Sequence, residues 1–171
     1  NLKIIEDCAH AVEGKYHGRH VGTFGDYGCF SFYATKNLSV GEGGMIISNS
    51  KKGIDRIIKM SLHGLSADAW QRHSPKGFKH YFVEDIGYKY NLTDIQASIG
   101  IHQLKKIEKN RKIRERIWKE YNNSFKNLPI KLPKNPEKNT KHSYHLYTIM
   151  IDKNLAGISR DQFIAKMQKM G

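Results

Sequence analysis

A chain of 171 residues, 39% apolar and 26% charged, is long enough to bury a core and too apolar to stay disordered. Its 29 lysines and arginines against 16 aspartates and glutamates give a formal net charge of +13. That balance favours polyanions: nucleic acid, an anionic membrane surface or phosphorylated small molecules. No apolar run is long enough to span a bilayer, no signal-peptide pattern opens the chain, and two cysteines, Cys8 and Cys29, are too few for a disulfide framework; a reducing cytoplasm is the expected compartment.

In chain order, Leu2 to Ile5 reads as a short apolar strand with Glu6 and Asp7 at its C-terminal end. Ligands gather at such ends in open α/β sheets, although an acidic residue there also serves as a turn cap. Cys8 and His10, two residues apart, share a face and admit a Cys–His hydrolase reading. No third orienting group or oxyanion hole accompanies them, so that reading is poor. Glu13 to Gly28 carries Gly14, Gly18, Gly22, Gly25 and Gly28 and reads as turns and short strands around a hairpin. Neither a phosphate-loop nor a dinucleotide-loop pattern is present.

Cys29 to Ala34 alternates as a strand and delivers Lys36 into a turn; Met45 to Ser48 re-enters a strand. Gly41, Gly43 and Gly44 pave that turn without side chains, so a flat ligand can approach. A lone lysine on a strand end beside such a floor suits an amine nucleophile that forms a Schiff base. In a basic chain the competing reading is one more solvated lysine.

Lys51 to Met60 has Ile54, Ile57 and Ile58 at helical spacing. Ser61 to Asp85 shows no sustained periodicity and reads as a substrate-facing or dimer-facing loop. Thr93 and Gln96 have capping-box spacing and open a long helix to about Phe125, with Gly100 as a point of interruption. Ile113, Ile117, Tyr121 and Phe125 recur along it as one buried stripe. Its basic run, Lys105 to Lys126, is first a solvated face and second a polyanion surface. With no zinc-ligand spacing, RNA-recognition aromatic motif or clear helix-turn-helix, neither a metal site nor nucleic acid is expected. Pro129, Pro133 and Pro136 mark a boundary within Asn127 to Lys141. Beyond it, Tyr144 to Asp152 reads as a strand and Ser159 to Met170 as a helix, with Ser159 and Gln162 at capping-box spacing.

Three blocks carry a resemblance: Ile4 to Ala11, Gly25 to Asn37 with Gly41 to Gly44, and Gly87 to Ala97. In this order they are similar to the DegT/StrS family of sugar aminotransferases, pyridoxal-phosphate (PLP) enzymes of the aspartate-aminotransferase fold. The resemblance implies an α/β chain: residues 1–126 as part of the large PLP-binding domain of fold type I, 127–141 as a linker, and 142–171 as the start of a small α+β C-terminal domain. Family members are about twice this length, so a middle fragment is expected. Lys36 becomes the residue that holds PLP and then shuttles a proton. Asp7 pairs with the pyridine nitrogen, where an anion keeps the ring protonated as an electron sink. Ser31 donates to the phosphate. His10 stands where the family carries Gln or His near the ring, with a structural histidine an equal alternative. Asn91, or Lys89, would reach the phosphate held by a neighbouring subunit, which requires a homodimer with shared sites. The implied reaction moves an amino group from an amino acid, most often glutamate, to a nucleotide-linked keto-sugar. Retention of Lys36, which is histidine in the family's dehydratases, favours transamination over dehydration.

Overall fold

The structure is a computed structural model that describes residues 2–66 and 80–171. Much of the expected loop from Ser61 to Asp85 falls in residues 67–79, outside the described residues. No described helix is long and apolar enough to cross a membrane.

The site is built on a three-stranded sheet in the order β1-β4-β5. Strand β1 (Ile5–Asp7) lies parallel to β4 (Tyr27–Ser31), with Asp7 opposite Cys29; β5 (Gly44–Ile47) returns antiparallel, with Gly44 opposite Ser31. The parallel pair needs a crossover, and the chain between the two strands supplies it. That chain includes the hairpin of β2 (Lys15–Tyr16) and β3 (Arg19–His20). Its two-residue turn has positive φ at both His17 and Gly18, the backbone twist that tight hairpins favour. The Glu6 carboxylate ties the exit of this crossover by accepting the N–H groups of Gly22 (2.7 Å) and Gly25 (2.6 Å).

Helix α1 (Lys51–Ser61) is capped by Ser50, whose side chain accepts from Gly53 N–H. Helix α2 (Asp94–Phe125) opens with a complete capping box between Thr93 and Gln96. At 32 residues it is about 48 Å long and is not interrupted at Gly100. There the absent side chain lets Val40 pack close to the helix. Its buried face differs from the expected stripe. Ile113, Ile117 and Tyr121 are exposed, whereas Ile107 and Trp118 are buried, with the side chains of Arg111 and Arg114 between them at 13% and 22% exposure. The arginines can line that face because carboxylates meet their charge. Arg111 pairs with Glu108 and Glu115, and Arg114 with Glu13.

After the proline-rich segment, β6 (Thr140–Lys141) adds to β2, giving the order β3-β2-β6. The expected strand from Tyr144 to Asp152 does not form. Tyr144 takes a left-handed φ of 50°, and the segment's sheet bonding is a single bridge between Met150 and Lys131. Aromatic packing on α2 replaces it: Trp118 meets His142, Tyr144 and Tyr147 with ring centroids 4.9–5.4 Å apart. Helix α3 (Lys153–Ala156) and helix α4 (Arg160–Met170) follow, the latter with the capping box expected at Ser159 and Gln162.

Candidate active site

Lys36 sits on the loop that links β4 to β5. Phe32 N–H donates to Gly43 O (2.8 Å) and Val40 N–H to Phe32 O (2.9 Å), which closes the base of the loop. Within it, Lys36 N–H donates to Tyr33 O at 2.9 Å. Apolar residues on either side of the Lys36 turn are buried. Phe32, Leu38 and Val40 form the core cluster with Ile107 of α2, and Val12 and Phe30 pack against it. Each such side chain contributes about 1.5–3 kcal/mol of burial, so the loop is anchored at Phe32, Leu38 and Val40. The glycine floor is tied to α2 as well, because Gln96 Nε2 donates to Glu42 O at 2.7 Å.

Polar groups hold the other side of the loop. Asn37 Nδ2 donates to Glu13 Oε2 (3.0 Å) and to Ser143 O (3.1 Å), and Asn37 Oδ1 faces His145 Nδ1 at 2.9 Å. The Glu13 side chain is fully buried and pairs with Arg114, whose Nε also donates to Ser143 O (3.2 Å). The loop is therefore bonded to the crossover, to α2 and to residues 143–145. Four of these residues, Glu13, Asn37, Arg114 and His145, form a bonded network that the sequence reading passed over.

Asp7 and Ser31 come together at the C-terminal ends of β1 and β4, since Asp7 is in register with Cys29, two residues before Ser31. One Asp7 oxygen accepts Ala9 N–H at 3.0 Å, which is the turn-cap role, and the other accepts no hydrogen bond among the described residues. Among the described residues the Ser31 hydroxyl meets a long contact of 3.4 Å from Tyr33 N–H and donates to no acceptor. Lys36 is half-buried and has no carboxylate partner among the described residues. His10 lies against His145, ring centroids 4.3 Å apart and tilted by 48°. Burial is the main influence that lowers the His145 pKa, and His10, Lys36 and Arg114 push the same way. His10, Lys36, Asn37 and His145 thus share one neighbourhood.

Asn91 stands elsewhere. It lines a groove of about 1010 Å³ with Gly43, Met45, Ile54, Ile57 and Tyr88. Lys89 pairs through its backbone with Leu62, and its side chain is exposed. Of the two residues considered for a neighbour's phosphate, Asn91 is the one that faces a concavity. His63 and Gly64 have a structural part: both take positive φ, and a Cβ on Gly64 would collide with the Asp85 carbonyl. The Cys–His reading fails on chemistry. Cys8 is 2% exposed, and burial, with the nearby charges of Glu6 and Asp7, raises its thiol pKa to about 11, so it is no nucleophile near neutrality.

The whole chain, residues 1–171, matches the sequence pattern of the DegT/DnrJ/EryC1/StrS aminotransferase family. It is 48% identical over 169 residues to the uncharacterized protein MJ1066 of Methanocaldococcus jannaschii, covering 99% of this chain and 44% of that protein. Over 167 residues it is 41% identical to the spore coat polysaccharide biosynthesis protein SpsC of Bacillus subtilis, covering 98% and 43%. Its fold superposes on the PLP form of the candidate sugar aminotransferase Spr1654 of Streptococcus pneumoniae with a TM-score of 0.84 at 27% identity, covering 98% of this chain and 42% of the other; a PMP form of that protein superposes equally well. The chain thus spans less than half the length of the relatives it matches. On the strength of a family match along its full extent, it belongs to the DegT/DnrJ/EryC1/StrS aminotransferase family.

Proposed function

We propose that this chain is part of a PLP-dependent aminotransferase that transfers an amino group from an amino acid, glutamate foremost, to a nucleotide-linked keto-sugar. The observation that carries the reading is a set of polar groups at the ends of β1 and β4 and on the loop that leaves β4. Among the described residues, one Asp7 oxygen accepts no hydrogen bond, the Ser31 hydroxyl meets a long contact of 3.4 Å, and the Lys36 amine has no ion-pair partner. Family membership and the PLP and PMP forms of Spr1654 support it.

The residues present fit a pyridine ring that bears a phosphate and an aldehyde. The Asp7 carboxylate would hold the ring nitrogen protonated. Ser31 would donate to a phosphate oxygen, and His10 would flank the ring. Lys36 would bond the aldehyde carbon and, once displaced by the amino donor, carry a proton from the donor's α-carbon. When bound, the cofactor supplies the electron sink for that deprotonation. Buried apolar anchors and the Asn37 network would keep the lysine in place through both half-reactions.

On the same reading, residues 1–126 are part of the large domain, 127–141 a linker and 142–171 the beginning of the small one. Asn91 would serve the phosphate of a second subunit in a cytoplasmic homodimer. Lys36, where the family's dehydratases carry histidine, favours transamination over dehydration. The test is absorbance. The protein mixed with PLP should gain a band near the visible edge that Lys36→Ala abolishes, and glutamate with a nucleotide keto-sugar should give an amino-sugar. The absence of the band, or its persistence in the variant, overturns the proposal.

A further inference from the structure

His145 is 108 residues from Asn37 in sequence, yet the two side chains meet at 2.9 Å. The hydrogen bonds of Asn37 settle which His145 nitrogen carries a proton. Both Asn37 contacts opposite His145 are to acceptors: the Glu13 carboxylate, itself paired with Arg114, and the Ser143 carbonyl. Only an amide nitrogen satisfies both. Its oxygen must then face His145, and an oxygen needs a donor. His145 Nδ1 therefore bears a hydrogen. The ring is half-buried beside a second imidazole, and this burial, with the charges of Lys36 and Arg114, lowers its pKa against the opposing pull of Glu13, which favours the neutral ring. Its Nε2 makes no hydrogen bond among the described residues.

We propose that His145 is a positioning residue for this site, a neutral imidazole with its proton fixed on Nδ1 by Asn37, clamping the Lys36–Asn37 turn on one side and His10 on the other. The clamp lets one residue of this later segment hold the Lys36 turn, through Asn37, and His10. A neutral His145 also adds no second positive charge beside Lys36. The consequence for cofactor binding rests on the function proposed above, whereas the tautomer and the clamp do not.

Three measurements on the full protein test it. Long-range proton–nitrogen NMR with 15N-histidine labelling should show His145 at neutral pH with a hydrogen-bearing Nδ1 and a bare Nε2. The opposite tautomer or a charged ring overturns the proposal. His145→Asn sets an N–H close to Nδ1, whereas His145→Gln sets one close to Nε2. In His145→Gln the Lys36 amide should exchange its hydrogen about fivefold faster, the effect of losing one hydrogen bond. In His145→Asn the rate should stay within about twofold. PLP dissociation should follow the same order. Equal behaviour of the two variants at matched melting temperatures refutes the clamp. If the wild-type protein takes up no PLP while the NMR and exchange results hold, the function proposed above falls and the clamp stands. The NMR measurement is made on the wild-type ring, so a variant that fails to fold does not protect the proposal.

Discussion

Replacing Glu13 by glutamine is the sharpest test of how the Lys36 turn is held. The Glu13 side chain has no exposure, and it accepts from both Arg114 and Asn37. Glutamine keeps the shape and an acceptor for Asn37 but removes the charge that Arg114 faces. Breaking one side of a buried ion pair costs about 3–5 kcal/mol. The Arg114 side chain is 22% exposed and keeps its bond to Ser143 O, so its stranded charge is partly hydrated and the lower end applies, about 3 kcal/mol. Arg114→Met should cost more, about 4 kcal/mol, because the stranded carboxylate has no access to water. The double variant leaves no orphan charge and should cost about 4 kcal/mol rather than the additive 7, a coupling of about 3 kcal/mol. Urea unfolding reads this directly. At a slope of about 2 kcal/mol per M, Glu13→Gln should lower the midpoint by about 1.5 M. Additivity of the two variants within about 0.5 kcal/mol would refute the reasoning, because it would mean that the pair carries no mutual energy in the folded protein.

Three further outcomes are expected. Ser143 Oγ is buried without a hydrogen-bond partner, so Ser143→Ala should leave stability unchanged or raise it by up to about 1 kcal/mol, and a loss above about 1 kcal/mol in thermal unfolding counts against that assignment. Gly64→Ala sets a Cβ against the Asp85 carbonyl at a positive φ and should cost more than about 2 kcal/mol by the same measurement; a cost near zero would show that the 63–64 turn relaxes freely. The Cys8 thiol, raised to about 11, stays protonated in the folded protein while an unfolded thiol ionises near its ordinary value of 9.0. The unfolded state then binds fewer protons between those values, so this group's contribution falls as pH rises from about 9 to about 11. In the folded protein at pH 8.5, iodoacetamide should alkylate Cys8 roughly a hundredfold more slowly than an unperturbed thiol, and equal rates would contradict the burial argument.

Local rules made much of this chain legible. Capping-box spacing located the starts of α2 and α4, because an N-cap is decided by residues three apart. Glycines at Gly41, Gly43 and Gly44 with alternating strands on either side gave the Lys36 loop. The failures share a cause. The expected stripe on α2 counted only apolar side chains, and the real face includes Arg111 and Arg114, whose charges are met by Glu13, Glu108 and Glu115. Tyr144 to Asp152 carries a strand-like composition, but its tyrosines pack on Trp118, and a segment with no neighbouring strand gains no ladder.

The Lys36 turn shows why the remainder was hidden. Its apolar anchors are near neighbours in sequence and could be read there, but its polar partners lie 24, 106 and 108 residues away, at Glu13, Ser143 and His145. A polar residue at such a distance carries no periodicity, and Glu13 in a glycine-rich stretch looks like any surface acid. The division follows from energetics. Apolar burial needs only the right face and tolerates exchange among similar side chains, so it leaves a repeating pattern. A buried hydrogen-bond network needs every member in place, because one missing partner strands the others at about 1–3 kcal/mol each. Such a network can fix a side chain's direction more narrowly than packing does, and here it converges on Asn37, the residue after Lys36.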